Sequence, residues 1–260
     1  MAQVLHTLEG QVATIVLANE AKYNAMSLGM WQQLGALLDQ LGQDESVRAV
    51  VLRGQGDKAF VSGADIAQFE QQRSNPDGVA AYDRAVDQVQ TALAQFPRPV
   101  IAAISGICFG GGLGMALSCD LRYCSAGSRF RMPAARLGLG YAWRGMRSLV
   151  GAIGTMNAAE AFFTARTYSA EQALKLGIVQ SVHDDVFAHA QQTAALIAEN
   201  APLTIAAAKQ AMIAMRNGDA SAGADVARVD AAVARCFASQ DYIEGRRAFA
   251  EKRPPQFRGQ

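Results

Sequence analysis

The segment Val100-Ile-Ala-Ala-Ile-Ser-Gly-Ile-Cys-Phe-Gly-Gly-Gly-Leu-Gly-Met-Ala-Leu-Ser-Cys119 carries no charge over its whole length. That length suits a transmembrane helix. Gly106, Gly110, Gly111, Gly112 and Gly114 would weaken such a helix badly. A buried strand over Val100 to Ile104, a Gly-rich turn, and a buried helix through about Ser118 explain the segment better. A glycine run that opens a buried helix leaves backbone N–H groups free, and such groups stabilise an anion. Close backbone packing accounts for the same glycines equally well.

Working outward, Gln11 to Leu17 is rich in β-branched residues and reads as a strand. Ser27 caps a helix through about Leu41, with Trp31, Leu34, Leu37, Leu38 and Leu41 on one face. Val47 to Arg53 is a second strand, and Gly54 to Asp65 reads as a loop. Asp77 to Phe96 is a helix closed by Pro97 and Pro99. Leu121 to Cys124 and Ile178 to Val182 are strands. Asn157 to Thr164 is a helix. So is Ser169 to Leu176, with a Ser169/Gln172 capping box and Gly177 as its stop. From Val186 onward the pattern is nearly all helical, with Pro202 at a helix start and Pro254-Pro255 ending the last helix. Residues 1–200 thus form an alternating α/β core, and 201–260 an Ala-rich helical region.

The chain has 260 residues, enough to bury a core without disulfide or metal staples. Charged residues are 18% of it, below the usual quarter or so, which points to extra buried surface such as a subunit interface. Lys and Arg number 24 against 23 for Asp and Glu, which excludes a strong electrostatic nucleic-acid binder. Cys108, Cys119, Cys124 and Cys236 form no C-x-x-C pair and lie away from His6, His183 and His189. Reduced cysteines and no zinc site are expected. The N-terminus lacks the long apolar core of a signal peptide, so a soluble cytoplasmic protein is expected.

A second segment, Lys58-Ala-Phe-Val-Ser-Gly-Ala-Asp-Ile66, stands out beside the glycine-rich one. Neither matches a Walker A or G-x-G-x-x-G pattern. Together, and with Asn24-Ala25, the run Thr164 to Val179 and the closing Glu244 to Arg253, they resemble the enoyl-CoA hydratase/isomerase (crotonase) family. The motifs occur in family order along nearly the whole chain. The resemblance implies an α/β crotonase (ClpP-like) spiral of β-β-α units with a C-terminal helical trimerisation region. It implies homotrimers or hexamers and an acyl-CoA thioester substrate, with no cofactor apart from the coenzyme A of that substrate.

The family's oxyanion hole of two backbone N–H groups maps to Ala64 and Gly111. Two aimed donors stabilise the charge that develops on a thioester oxygen as it becomes an enolate. Lys22, Ser62, Asp65 and Ile66 map to the region along the CoA nucleotide. Phe249 and Lys252 match tail positions that cover CoA, in some relatives from a neighbouring subunit. Surface charge is the alternative reading for Lys22 and Lys252.

Hydratases of the family use one glutamate in G-G-G-x-E and one in P-E to hold and activate water. This chain has Gly114 and Ala134 at those places, and neither transfers a proton. Pro133 to Tyr141 instead resembles the methylmalonyl-CoA decarboxylase branch, with one residue inserted, although that branch has His where this chain has Ala64. Decarboxylation needs an enolate hole but no proton-removing base. Tyr141 is then a candidate to orient a carboxylate or protonate the enolate carbon, and Arg144 a candidate to recognise a carboxylate. The structural alternatives are a Tyr141 that packs on the pocket floor and an Arg144 paired with Asp120 or Glu160. Three functions stay open: enolate chemistry of the hydratase/isomerase kind, decarboxylation of a malonyl-type ester, and acyl-CoA binding without catalysis.

Overall fold

Three successive stretches of the chain repeat one plan: a longer apolar strand, a short strand, then a helix. The structure is a computed structural model that describes residues 2–65, 76–217 and 223–260. The first stretch runs through β3 (Ala49–Gly54), β4 (Ala59–Val61) and α2 (Pro76–Ala94). The second runs through β5 (Val100–Ile104), β6 (Ile107–Phe109) and α3 (Gly111–Ser118). The third runs through β7 (Leu121–Cys124), β8 (Arg129–Arg131) and α4 (Trp143–Thr164). The longer strands join one sheet and the short ones another, so each repeat is a turn of a spiral.

The large sheet has the order β1-β2-β3-β5-β7-β10, with β1 (Gln3–Glu9), β2 (Val12–Ala18) and β10 (Ser181–Val182) completing it. All its pairs are parallel except β1 with β2. The small sheet has the order β4-β6-β8-β9, where β9 is Tyr168–Ser169. β5 is buried at every residue, as a strand covered on both faces must be. Gly106 turns the chain from β5 to β6 with φ 64°, and a side chain there would strike the Lys58 carbonyl. Only glycine combines that backbone angle with that approach.

Leu28–Gln43 forms α1, capped by Ser27, whose hydroxyl accepts from Met30 N at 3.2 Å. Its buried face is Met30, Trp31, Leu34, Leu37, Leu38 and Leu41, the expected stripe with Met30 added. The Ser169/Gln172 capping box opens α5 (Ala170–Leu176), and Gly177 ends it at φ 80°. Helices α6 (Val186–Ala198), α7 (Pro202–Asn217), α8 (Gly223–Ala238) and α9 (Gln240–Glu251) follow. The uncharged segment Val100 to Cys119 becomes β5, β6 and α3. Among the described residues no helix is long and apolar enough to cross a membrane.

Several sequence expectations need correction. The segment 54–65 is not all loop, because it contains β4. The sequence pattern predicts none of β1, β6, β8 and β9, and the strand expected from Ile178 begins only at Ser181. The helix expected from Asn157 starts at Trp143 and is kinked at Gly154 (φ 75°, ψ 161°). Gly145, Gly151 and Gly154 weaken its helical signal, and packing restores the helix. The last helix ends at Glu251, before Pro254.

An ion pair made by a buried lysine fastens α7 to the core. Lys209 Nζ lies 2.6 Å from Asp120 Oδ2 and 2.7 Å from the Arg98 carbonyl. Asp120 also accepts from Val100 N at 2.8 Å. Burial lowers the Lys209 pKa and the Asp120 charge opposes that shift. Removing one partner strands the other charge, which costs about 3–5 kcal/mol. Asp120→Ala should therefore destabilise the fold by about that amount in urea denaturation at fixed protein concentration, with the slope unchanged.

Candidate active site

Asn24 is fully buried at φ 53° and ties the end of β2 to β4. Its Nδ2 donates to the Ala59 carbonyl at 2.7 Å and the Gln55 carbonyl at 3.0 Å, and its Oδ1 accepts from Asn19 N at 3.0 Å. This brings Met26 alongside Ala64 in an isolated parallel bridge. Met26 N donates to the Gly63 carbonyl at 2.8 Å, and Asp65 N donates to the Met26 carbonyl at 3.1 Å. In that pattern the Ala64 N–H points away from Met26 and takes no part.

Gly111 is the first residue of α3, where the N–H has no partner within the helix. A Cβ on Gly63 would lie 3.8 Å from the Phe109 carbonyl, so the Ala64 strand runs beside the turn into α3. A Cβ on Gly112 would meet the Val61 carbonyl at 2.5 Å, and this glycine lets α3 sit directly on β4. No hydrogen bond joins either the Ala64 or the Gly111 N–H to another group among the described residues.

Two residues that the sequence did not mark for the site connect these donors. Trp31 Cζ2 lies 3.5 Å from the Cβ position of Gly111. Its Nε1 donates to Tyr82 Oη at 2.9 Å, and that hydroxyl donates to the Met26 carbonyl at 3.2 Å. One buried chain thus touches the start of α3 and the strand that pairs with Ala64. Trp31 carried a core signal in the sequence, which was all its apolar periodicity could show.

Lys22 Nζ lies 2.7 Å and 3.0 Å from the two oxygens of the buried Asp65 carboxylate. Ser62 Oγ donates to the Lys22 carbonyl at 3.2 Å. These three predicted CoA residues therefore lie together beside Ala64, with Lys22 half exposed and held by Asp65. Ile66 lies outside the described residues. Phe249 and Lys252 stand apart, at the end of α9. Phe249 is 88% exposed and borders an apolar groove with Leu203, Val233 and Phe237, while Lys252 closes α9 at φ 54°.

A Cβ on Gly114 would meet Gln90 Nε2 at 2.5 Å and Tyr141 Oη at 3.4 Å. The Tyr141 ring passes over Gly145, whose Cβ would lie 2.5 Å from Cε1, and stands edge-on to Phe162 at 5.4 Å. Burial pushes the Tyr141 pKa up to about 12, so its hydroxyl is a neutral donor near neutral pH. Ala134 is buried in a short 3-10 turn. Arg144 is half exposed, with Nε 3.7 Å from Asp87 Oδ1 and a nitrogen 3.3 Å from Thr91 Oγ1 on α2. The partners expected for it are taken: Asp120 holds Lys209, and Glu160 holds Arg166.

Thiol chemistry has no support here. Cys108, Cys119 and Cys124 are buried, and burial raises Cys119 to about 12 and Cys124 to about 11. His183 and His189 stack on each other at 3.5 Å against Tyr123. Among the described residues no group of three or more His, Cys, Asp or Glu is placed to hold a metal ion.

A two-sheet β-β-α spiral that leaves the Ala64 and Gly111 N–H groups free on adjoining elements defines a class of protein. The family model described as enoyl-CoA hydratase/isomerase matches residues 7–260, and the chain belongs to that family. It is 31% identical over 247 residues to the short-chain-enoyl-CoA hydratase of Clostridium acetobutylicum, covering 94% of this chain and 93% of the relative. It is 31% identical over 252 residues to the methylmalonyl-CoA decarboxylase of Escherichia coli, covering 96% and 95%. A solved enoyl-CoA hydratase from Bacillus anthracis superposes with a TM-score of 0.92 at 30% identity, covering 99% of each chain. The crotonase fold and the acyl-CoA substrates of the family follow.

The raised Tyr141 pKa has a measurable consequence. Folding disfavours its ionised form, so its contribution to stability is whole below the unfolded value near 10 and is lost as pH rises through about 12. Between those values the wild-type protein should lose more stability than Tyr141→Phe, as read by urea denaturation at stepped pH.

Proposed function

We propose that the chain stabilises a thioester enolate with the backbone N–H groups of Ala64 and Gly111. The observation that carries this reading is the pair of N–H groups left without partners on adjoining elements, β4's extension and the first turn of α3. A helix N-terminus adds its own positive end to the second donor. Donors aimed where charge develops lower a barrier most in a site closed to water. Lys22, steadied by Asp65 and Ser62, offers a cation for the CoA phosphates. Coenzyme A enters as part of the substrate, and no other cofactor is needed.

Ordinary hydration by two glutamates does not fit Gly114 and Ala134. A second reading, decarboxylation of a malonyl-type CoA ester, is favoured by the protonated Tyr141 hydroxyl that faces Gly114. Loss of carbon dioxide leaves the enolate for the donor pair to stabilise, and the Tyr141 hydroxyl then returns a proton to the carbon. Arg144, engaged with Asp87 and Thr91, is the weaker candidate for carboxylate recognition. Acyl-CoA binding without turnover is the reading that remains if no ester reacts.

We also propose a homotrimer or hexamer in the cytoplasm, assembled through residues 201–260. The exposed Met215, Phe237, Ile243 and Phe249 on these helices support that assembly. In it Phe249 and Lys252 would reach a neighbour's CoA rather than their own. Light scattering at micromolar concentration should show no monomer.

Incubation of the protein with crotonyl-CoA, longer enoyl-CoAs and malonyl-type CoA esters, followed by mass spectrometry, separates the reactions. Loss of carbon dioxide marks decarboxylation, and gain of water marks hydration by other groups. Ala64→Pro removes one donor, and the Met26 bridge itself is made by the amides of Met26 and Asp65. It should lower kcat by about 10²–10³ while CoA-ester binding persists. Unchanged turnover would refute the donor assignment. Tyr141→Phe should slow the malonyl-type reaction alone.

A further inference from the structure

The place next to Gly114 is filled from a neighbouring helix. Gln90 is on α2, and its Nε2 lies 2.5 Å from the point where a Cβ of residue 114 would stand. Tyr141 Oη lies 3.4 Å from the same point. Neither group has a hydrogen-bond partner among the described residues. α2 is also the helix that carries Tyr82, whose hydroxyl supports the Met26 carbonyl. The helix that steadies the Ala64 side of the donor pair therefore also brings Gln90 against Gly114, three residues past the second donor.

We propose that Gln90 is a specificity-determining residue of the acyl pocket, which with Tyr141 selects acyl groups that carry a carboxylate. The inference rests on the acyl-CoA reading above and deepens it by naming the substrate class. A glutamine amide offers two N–H donors and a protonated tyrosine one more, and neither brings negative charge. Converging neutral donors suit an anionic oxygen, because hydrogen bonds to a charged acceptor are the strong ones. A neutral acyl chain would instead leave both groups desolvated and unpaired, which penalises its binding. Gly114 is part of the device. A side chain there would displace the amide, and the glycine leaves the room that Gln90 occupies.

The test compares malonyl-CoA with isovaleryl-CoA, which has nearly the same shape and no carboxylate. Binding is read by surface plasmon resonance on the full-length protein, where flow replaces any ester that turns over. Wild type should hold malonyl-CoA more tightly. Gln90→Leu should weaken malonyl-CoA about tenfold to a hundredfold and leave isovaleryl-CoA within twofold. Gln90→Glu should weaken malonyl-CoA at least as much, because it sets like charges together.

Retained isovaleryl-CoA binding shows in the same experiment that each variant is folded. Equal weakening of both esters would make Gln90 a packing residue and overturn the proposal, as would equal wild-type affinity for the two. Those results leave the acyl-CoA reading standing. Failure of wild type to bind either ester would overturn that reading and the proposal with it.

Discussion

The parallel bridge between Met26 and Ala64 spends its hydrogen bonds on the amides of Met26 and Asp65 and leaves the Ala64 N–H over. A backbone donor without a partner costs roughly 1–3 kcal/mol where it is buried. Such a group keeps its direction only if its surroundings fix it. Here they do so from three sides. Asn24 pins the entering chain, Tyr82 and Asp65 share the Met26 carbonyl, and Trp31 joins Tyr82 to the start of α3. The donors at Ala64 and Gly111 belong to different turns of the spiral, and the same buried network braces both.

Helix α3 links that centre to the rest of the chain. Its first residue supplies one donor, and Asp120 follows its last turn. Asp120 closes on Val100 and Lys209, so the helical region after residue 200 is anchored close to the C-terminal end of α3. The low charged fraction and the apolar side chains exposed on α7, α8 and α9 then have one physical account. This region is fastened to its own core by the buried Lys209 and its Asp120 partner and presents the rest of its apolar surface outward.

Charge in the site is arranged by pairing. Asp65 is neutralised by Lys22, Arg144 leans on Asp87, and the groups facing Gly114 are an amide and a protonated phenol. Under the function proposed above, that arrangement suits stabilising an anion rather than generating a base.

The sequence by itself determined the elements that are long enough to show a period or carry a cap. These are α1 with its Ser27 cap, the buried β5, and α5 with its capping box and Gly177 stop. The family resemblance carried by the glycine-rich helix start and the Lys58 to Ile66 segment pointed to Ala64 and Gly111. The small sheet was illegible, since β4, β6 and β8 have three residues each and β9 two, too few for alternation to register. Only the tertiary structure decided what each donor and each charge faces. The Arg144 partner, the Trp31–Tyr82 chain and the approach of Gln90 to Gly114 each join residues more than 20 positions apart. Local pattern fixes which face of a helix is buried, whereas the packing of one turn of the spiral on the next fixes what that face meets.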